Sequence, residues 1–196
     1  MTTETMLADA YALAHTRRMA CADDIALLAT VMDTLPDVPT VVQLGAASGT
    51  MSLVVYAIRP QCFMVAVDID QQSLNYQAQA LANSTGDPSI LEHAQLHSGS
   101  KRAGENYRAV NVDLLIVDAD HSYEGIKANL MAWMPNMKKE GLIFVHDYDG
   151  TTAPESYPGI KKACDEVLGK KYKYKRGWSA VFNARFRKAF ADSLNH

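Results

Sequence analysis

Cysteine is scarce in this sequence. Its three residues, Cys21, Cys62 and Cys164, lie far apart and form no C-x-x-C pair. That spacing argues against a disulfide-stapled scaffold and against a structural zinc frame, and fits thiols kept reduced in the cytoplasm. Long hydrophobic runs are also missing. No stretch approaches the ~18 uninterrupted apolar residues of a membrane span, and the first residues do not pair a basic segment with an apolar core as a secretory signal does. A soluble, cytoplasmic chain without a membrane partner is therefore expected. Charge of one sign is lacking overall, because the formal net charge is -3, which rules out a polyanion binder over the whole surface. Ten of the 19 Lys and Arg nevertheless lie between Lys161 and Lys188, against three acids from Lys161 onward.

What is present is apolar residue in quantity, 48% over 196 residues, enough for one domain with a substantial core. Short runs recur along the chain: Thr40–Leu44 (TVVQL), Phe63–Asp68 (FMVAVD), His93–His97 (HAQLH), Val112–Asp118 (VDLLIVD) and Leu142–Asp147 (LIFVHD). All but the third are continuous and rich in Val, Ile and Leu, as in parallel strands covered on both faces. Helical spacing separates them. Ile25, Leu28, Met32 and Leu35 share one face, with Asp23 or Asp24 available as N-cap; Leu74, Ala78 and Leu81 share a second, and Ile126, Leu130 and Trp133 a third. Pro158–Gly169 reads as a helix, and the following residues as two strands around a turn at Arg176-Gly177. The alternation predicts an α/β fold: a single-domain, Rossmann-like, doubly wound sheet, mostly parallel with a C-terminal antiparallel hairpin strand. Residues 1–36 are expected to form a helical cover and 40–183 the core, all within one domain spanning 1–196.

In such sheets ligands bind beyond the carboxyl ends of the strands, at the switch in strand order. The first strand runs into Gln43-Leu44-Gly45-Ala46-Ala47-Ser48-Gly49, a small-residue loop against which a ligand can lie close to backbone N–H groups. Asp68 ends the second strand at a spacing that suits a carboxylate gripping ribose hydroxyls. The plainer alternative is a common Gly-rich turn, with Asp68 capping the next helix. The loop is not G-x-G-x-x-G, since Ala47 replaces the second glycine, so a dinucleotide pyrophosphate is disfavoured and a phosphate-free nucleoside such as S-adenosylmethionine fits better. Ser98, Gly99 and Ser100 after the third run are candidates to border an adenine, or form a solvated turn.

Two runs drive straight into polar clusters. Leu114–Gly125 (LLIVDADHSYEG) ends with Asp118, Asp120, His121 and Glu124, and Gly141–Gly150 (GLIFVHDYDG) ends with His146, Asp147 and Asp149. Together with VVQLGAASG and VAVDID, these blocks resemble the class I S-adenosylmethionine-dependent methyltransferases. The likeness is closest to the small metal-dependent O-methyltransferase branch that includes macrolide-sugar methyltransferases and cephalosporin-hydroxylase-like proteins, and it spans roughly Thr40 to Leu168. The resemblance implies a cofactor site of Gly45, Ala46, Ala47, Ser48, Gly49, Asp68, Ile69, Ser98, Gly99, Ser100, Asp118 and Ala119. It implies a divalent cation, Mg²⁺ or Mn²⁺, on Asp118, His146 and Asp147, with Asp118 and His121 catalytic and His121 as the base. An imidazole changes charge near neutral pH, which suits it to accept a proton from a hydroxyl.

Gln43 departs from the acid many methyltransferases carry there, and His146 from a commonly acidic ligand. Neighbours on a strand face opposite sides, so His146 can also point away from the cation. Asp120 or Ser122 is a simple N-cap for the next helix. The expected activity is methyl transfer to a hydroxyl of a small molecule, in a chain that is open or completed by a second copy as a homo-oligomer. Tyr148 and Tyr157 in the loop Asp147–Gly159 are candidate acceptor walls. Rival readings are a catalytically silent cofactor-binding relative, a metal-dependent hydroxylase, and an RNA methyltransferase suggested by KKYKYKRGW. An edge strand with solvated lysines explains that run more simply, so nucleic acid is not the expected partner.

Overall fold

The computed structural model describes residues 2–17, 20–86, 95–107, 111–149 and 158–184. Seven strands form one sheet: β1 (Thr40–Leu44), β2 (Phe63–Asp68), β3 (Gln95–His97), β4 (Val112–Val117), β5 (Met137–Val145), β6 (Tyr174–Arg176) and β7 (Ser179–Asn183). Their order is β3-β2-β1-β4-β5-β7-β6. β1 to β5 pair in parallel, while β7 runs antiparallel to both neighbours. The C-terminal hairpin is thus present as expected, but its second strand lies inside and its first strand forms the outer edge.

The helices are α1 (Thr3–Arg17), α2 (Ala22–Asp33), α3 (Thr50–Ile58), α4 (Gln71–Thr85), α5 (Ser100–Asn106), α6 (Tyr123–Trp133) and α7 (Pro158–Val167). The strands alternate their burial between two layers because successive side chains point to opposite faces. Val41, Leu114, Ile116 and Phe144 pack under α1, α2 and α3, whereas Val42, Leu115, Val117 and Ile143 pack under α6 and α7. Both faces are covered, which explains continuous apolar runs in place of alternation. Fully burying a side chain such as Phe144 or Leu115, both at 0% exposure, stabilises the fold by about 1.5–3 kcal/mol.

Several boundaries differ from expectation for local reasons. The N-cap of α2 is Cys21, not Asp23 or Asp24; Asp24 sits three positions in and accepts the Cys21 N–H at 2.9 Å. Ser122 caps α6 as expected, its Oγ accepting from Gly125 N at 3.0 Å. Helix α5 was not expected. It holds only seven residues, and Trp133 Nε1 donates to its Ser100 carbonyl at 2.8 Å, a tertiary anchor that no local pattern announces. Trp133 is core, at 0% exposure. The third strand was expected from His93, but β3 begins at Gln95, and residues 87–94 lie outside the described ones.

Candidate active site

The strand order reverses between β1 and β4, and the loops after these strands meet there. Gly45 has φ +87, and a Cβ placed on it would lie 1.9 Å from the Asp118 carbonyl oxygen. Only glycine lets the two loops approach this closely. Ala47 (φ 42) continues the turn, and Gly49 opens α3. The loop is braced from beneath. Gln43, 2% exposed, donates to the Gly45 carbonyl at 2.7 Å and accepts from Ser52 Oγ at 2.7 Å, and Gln77 Nε2 donates to Ser52 Oγ at 2.6 Å. Gln43 therefore faces into the protein as a bracing group, which gives its amide a use an acid would not fill.

Asp68 Oδ2 accepts the Ala46 N–H at 2.8 Å and Oδ1 the Asp70 N–H at 2.9 Å. The helix cap expected of it as the plain alternative is instead Asp70, which accepts from Gln72 and Ser73 N–H groups. Asp68 is freed to face a cleft of about 1210 Å³. That cleft is lined by Gly45, Ala47, Asp68, Ile69, Gly99, Ser100, Asp118, Ala119, His121 and Asp147, ten of the expected site residues, and by Trp178 and Asn129, which were not expected. Ala46 is buried behind the loop, Ser48 faces a separate hollow beside Tyr76, and Gly49 packs on Gln77 and Ala80. Ser98 lies beside Gly99 and donates its N–H to the Asp68 carbonyl at 2.9 Å.

At one end of the cleft, ligand atoms of Asp118, His121 and Asp147 all lie within 4.8 Å of one another. His121 Nε2 is 3.3 Å from Asp118 Oδ1 and 3.6 Å from Asp147 Oδ2. His146 Nδ1 is 3.2 Å from each of the same two oxygens. His146 and Asp147 reach one point because Asp147 has φ 54, just past the end of β5, which removes the opposite-face rule of an extended strand. His146 is 2% exposed and lies behind the carboxylates, whereas His121 stands at the cleft.

Two carboxylates facing one point repel unless a positive group lies between them. Burial raises the Asp118 carboxyl, but the nearby His146 charge and the hydrogen bonds from His121 and His146 outweigh it and hold the group below the ordinary carboxylate value. Burial likewise opposes charge on His146, yet Asp118, Asp147 and Asp24 carry its imidazole well above the ordinary value. Two oxygen donors and imidazole nitrogen suit a hard or borderline divalent ion such as Mg²⁺ or Mn²⁺. It is Nδ1 of His146 that faces the two carboxylates, whereas its buried Nε2 makes no close hydrogen bond and lies 3.5 Å from Asp24 Oδ2. The donor set therefore fits a divalent cation.

Other expectations are corrected. Tyr148 is not an acceptor wall: it is 3% exposed and its hydroxyl donates to Asp165 at 2.6 Å. Tyr157 lies outside the described residues. Asp120 accepts from Ser122 N–H at 2.9 Å, shaping the turn before α6 without capping it. Trp178, between β6 and β7, was missed because nothing in the local sequence ties that turn to the switch point. Among the described residues no helix is long and apolar enough to cross a membrane.

A seven-stranded sheet of this order with a cleft at its switch point defines a class I, Rossmann-like methyltransferase fold. A sequence profile described as a methyltransferase domain matches residues 42–148, more than half of the chain, and the chain belongs to that family. No curated protein sequence matches. Similar solved structures include cofactor-bound Rv0187 from MTB, with TM-score 0.71, 13% identity and 92% and 89% of the two chains covered. The O-methyltransferase TomG from Streptomyces achromogenes, in complex with SAM, gives TM-score 0.64, 11% identity and coverage of 91% and 89%. The O-methyltransferase from Bacillus cereus, in complex with SAH, gives 0.62, 11%, and 91% and 90%.

Proposed function

We propose that this chain transfers the methyl group of S-adenosylmethionine to a hydroxyl of a small molecule, assisted by a divalent cation. The observation that carries the reading is the convergence of Asp118, His121 and Asp147 at one end of the cleft that Gly45 and Asp68 line. In this reading the Gly45 loop lies against the cofactor's methionine part. Asp68 grips the ribose hydroxyls, and Ile69, Gly99 and Ser100 border the adenine.

Asp118 and Asp147 would hold the cation, which would supply Lewis-acid activation of an acceptor hydroxyl. His121, whose ring stands at the cleft, would take the hydroxyl proton. Asp118 Oδ1 and Asp147 Oδ2, at 3.3 and 3.6 Å, stabilise the imidazolium that results. Trp178, at the same cleft, supplies an apolar wall for the acceptor. A small-molecule acceptor is favoured over RNA because part of the C-terminal basic segment is already paired with the chain's own acids. Lys161 and Lys175 both pair with Asp149, and Arg176 pairs with Asp23.

The test is calorimetric titration of S-adenosylmethionine and its demethylated product, with and without Mg²⁺, after chelator treatment. Binding of either ligand, with metal-dependent heat, is expected. Absence of binding under every metal condition would overturn the reading.

A further inference from the structure

Asp24 is an acid with an unusual address. It belongs to α2, at the far N-terminal side of the sequence, yet it is 0% exposed and sits behind the carboxylate cluster. Its Oδ1 accepts from Trp178 N at 3.0 Å and Ser179 Oγ at 2.8 Å, and its Oδ2 accepts from Cys21 N at 2.9 Å. Among the described residues no lysine or arginine pairs with it; Arg176 goes to the adjacent Asp23. The nearest positive-capable group is the His146 ring, with Nε2 3.5 Å from Asp24 Oδ2. That nitrogen is the buried, unpartnered one.

Building on the divalent-cation reading, we infer that Asp24 is a positioning residue for the cation site, holding the His146 N–H at Nε2 and so turning the Nδ1 lone pair toward Asp118 and Asp147. The reasoning is steric and electrostatic. A neutral imidazole carries one N–H and one lone pair. A lone pair at Nε2 would face a buried carboxylate oxygen and repel it, so the N–H belongs on that side. Nδ1 then presents its lone pair 3.2 Å from an oxygen of each carboxylate, an arrangement a cation among the three donors would make favourable; without the ion a proton on Nδ1 fills the same gap. Histidines that ligate metals commonly donate their other ring N–H to a carboxylate in this way, which fixes tautomer and ring orientation. The same Asp24 carboxylate holds the backbone of Trp178, so one group sets both the ligand ring and the cleft wall.

The test uses the whole chain with the ion alone. Mn²⁺ affinity is measured by electron paramagnetic resonance for the wild type, Asp24→Asn and Ser179→Ala, with thermal melting to establish folding. Asp24→Asn should weaken Mn²⁺ about 10–100-fold. Ser179→Ala, which removes a different partner of the same carboxylate, should leave affinity unchanged. Long-range ¹H–¹⁵N spectra of the Zn²⁺-loaded wild type should show His146 as the Nε2–H tautomer. An Nδ1–H tautomer, or unchanged Mn²⁺ affinity in folded Asp24→Asn, overturns the inference while leaving the cation reading intact. If the wild type binds no ion, both fall. Should Asp24→Asn fail to fold, the wild-type tautomer decides alone.

Discussion

Replacing Gly45 with alanine probes the switch point most directly. Two effects add. An L-residue in the left-handed region costs roughly 1–2 kcal/mol. The new Cβ would also stand 1.9 Å from the Asp118 carbonyl oxygen, so the two loops must part by about 1.5 Å to reach ordinary contact. Relieving such overpacking costs about 1–3 kcal/mol. Together these give roughly 2–5 kcal/mol, or a melting point lower by about 4–20 °C for a chain of this size. Gly86→Ala is the control, because Gly86 has φ +70 but nothing within 4 Å of its added Cβ. It should show the first effect only, roughly 2–8 °C. The difference should reappear in function. Displacing Asp118 by about 1 Å or more should lower turnover by at least about 100-fold, and calorimetry should show weakened binding of the demethylated cofactor. If Gly45→Ala matched Gly86→Ala in both melting and cofactor binding, the close approach of these loops would have no part in the site.

Asp68→Asn should weaken the demethylated cofactor by about 10–100-fold, since a hydrogen bond to a charged group contributes roughly 1.5–3 kcal/mol; Mn²⁺ affinity, measured separately, should stay the same. His121→Ala should lower turnover by about 10²–10⁴-fold with cofactor affinity retained, the signature of a lost general base in steady-state kinetics. In metal-free protein, stability should have a bounded pH window, measurable by denaturant titration. The His146 imidazole is raised above its ordinary 6.5, so its contribution is full below that value and is lost as pH rises through the folded-state value. Asp24 is opposed by burial but lowered by His146 and Cys21 from 3.8 to about 2, so its contribution, on the order of 2 kcal/mol, holds above 3.8 and is lost as pH falls toward 2. Stability that rises above pH 7 would contradict the pairing of these groups.

The fold was more legible in the amino-acid sequence than the site, and particular residues show why. Strands β1, β2 and β4 stood out because a parallel strand covered on both faces has no polar alternation to blur it. Asp118 and Asp147 stood out because an acid at the end of such a strand has few structural reasons to be there. The joint aim of His146 and Asp147 was implied by the resemblance alone and not by strand geometry, because it depends on a positive φ at a residue that is not glycine. Asp24 looked like a helix cap, and in part it is one, but its second and third partners lie on Trp178 and Ser179. Gln43 looked like a lost ligand contact and proved to be a brace, since the Ser52 and Gln77 side chains that complete it come from two different helices.

The hydrogen bonds from Trp178 and Ser179 to Asp24 span 154 and 155 residues. Closing so long a loop is entropically slow, and folds dominated by distant pairings reach the native state later than those built from local ones. The inner position of β7, which pairs with β5 from Leu142 to Val145, defers the completion of the sheet in the same way. During synthesis the Gly45 loop and the strand bearing Asp118 emerge long before the segment that seals Asp24. The cofactor half of the cleft can therefore take shape while the cation half waits for the last strand. Refolding followed by cofactor fluorescence displacement and by Mn²⁺ capture should resolve two phases in that order.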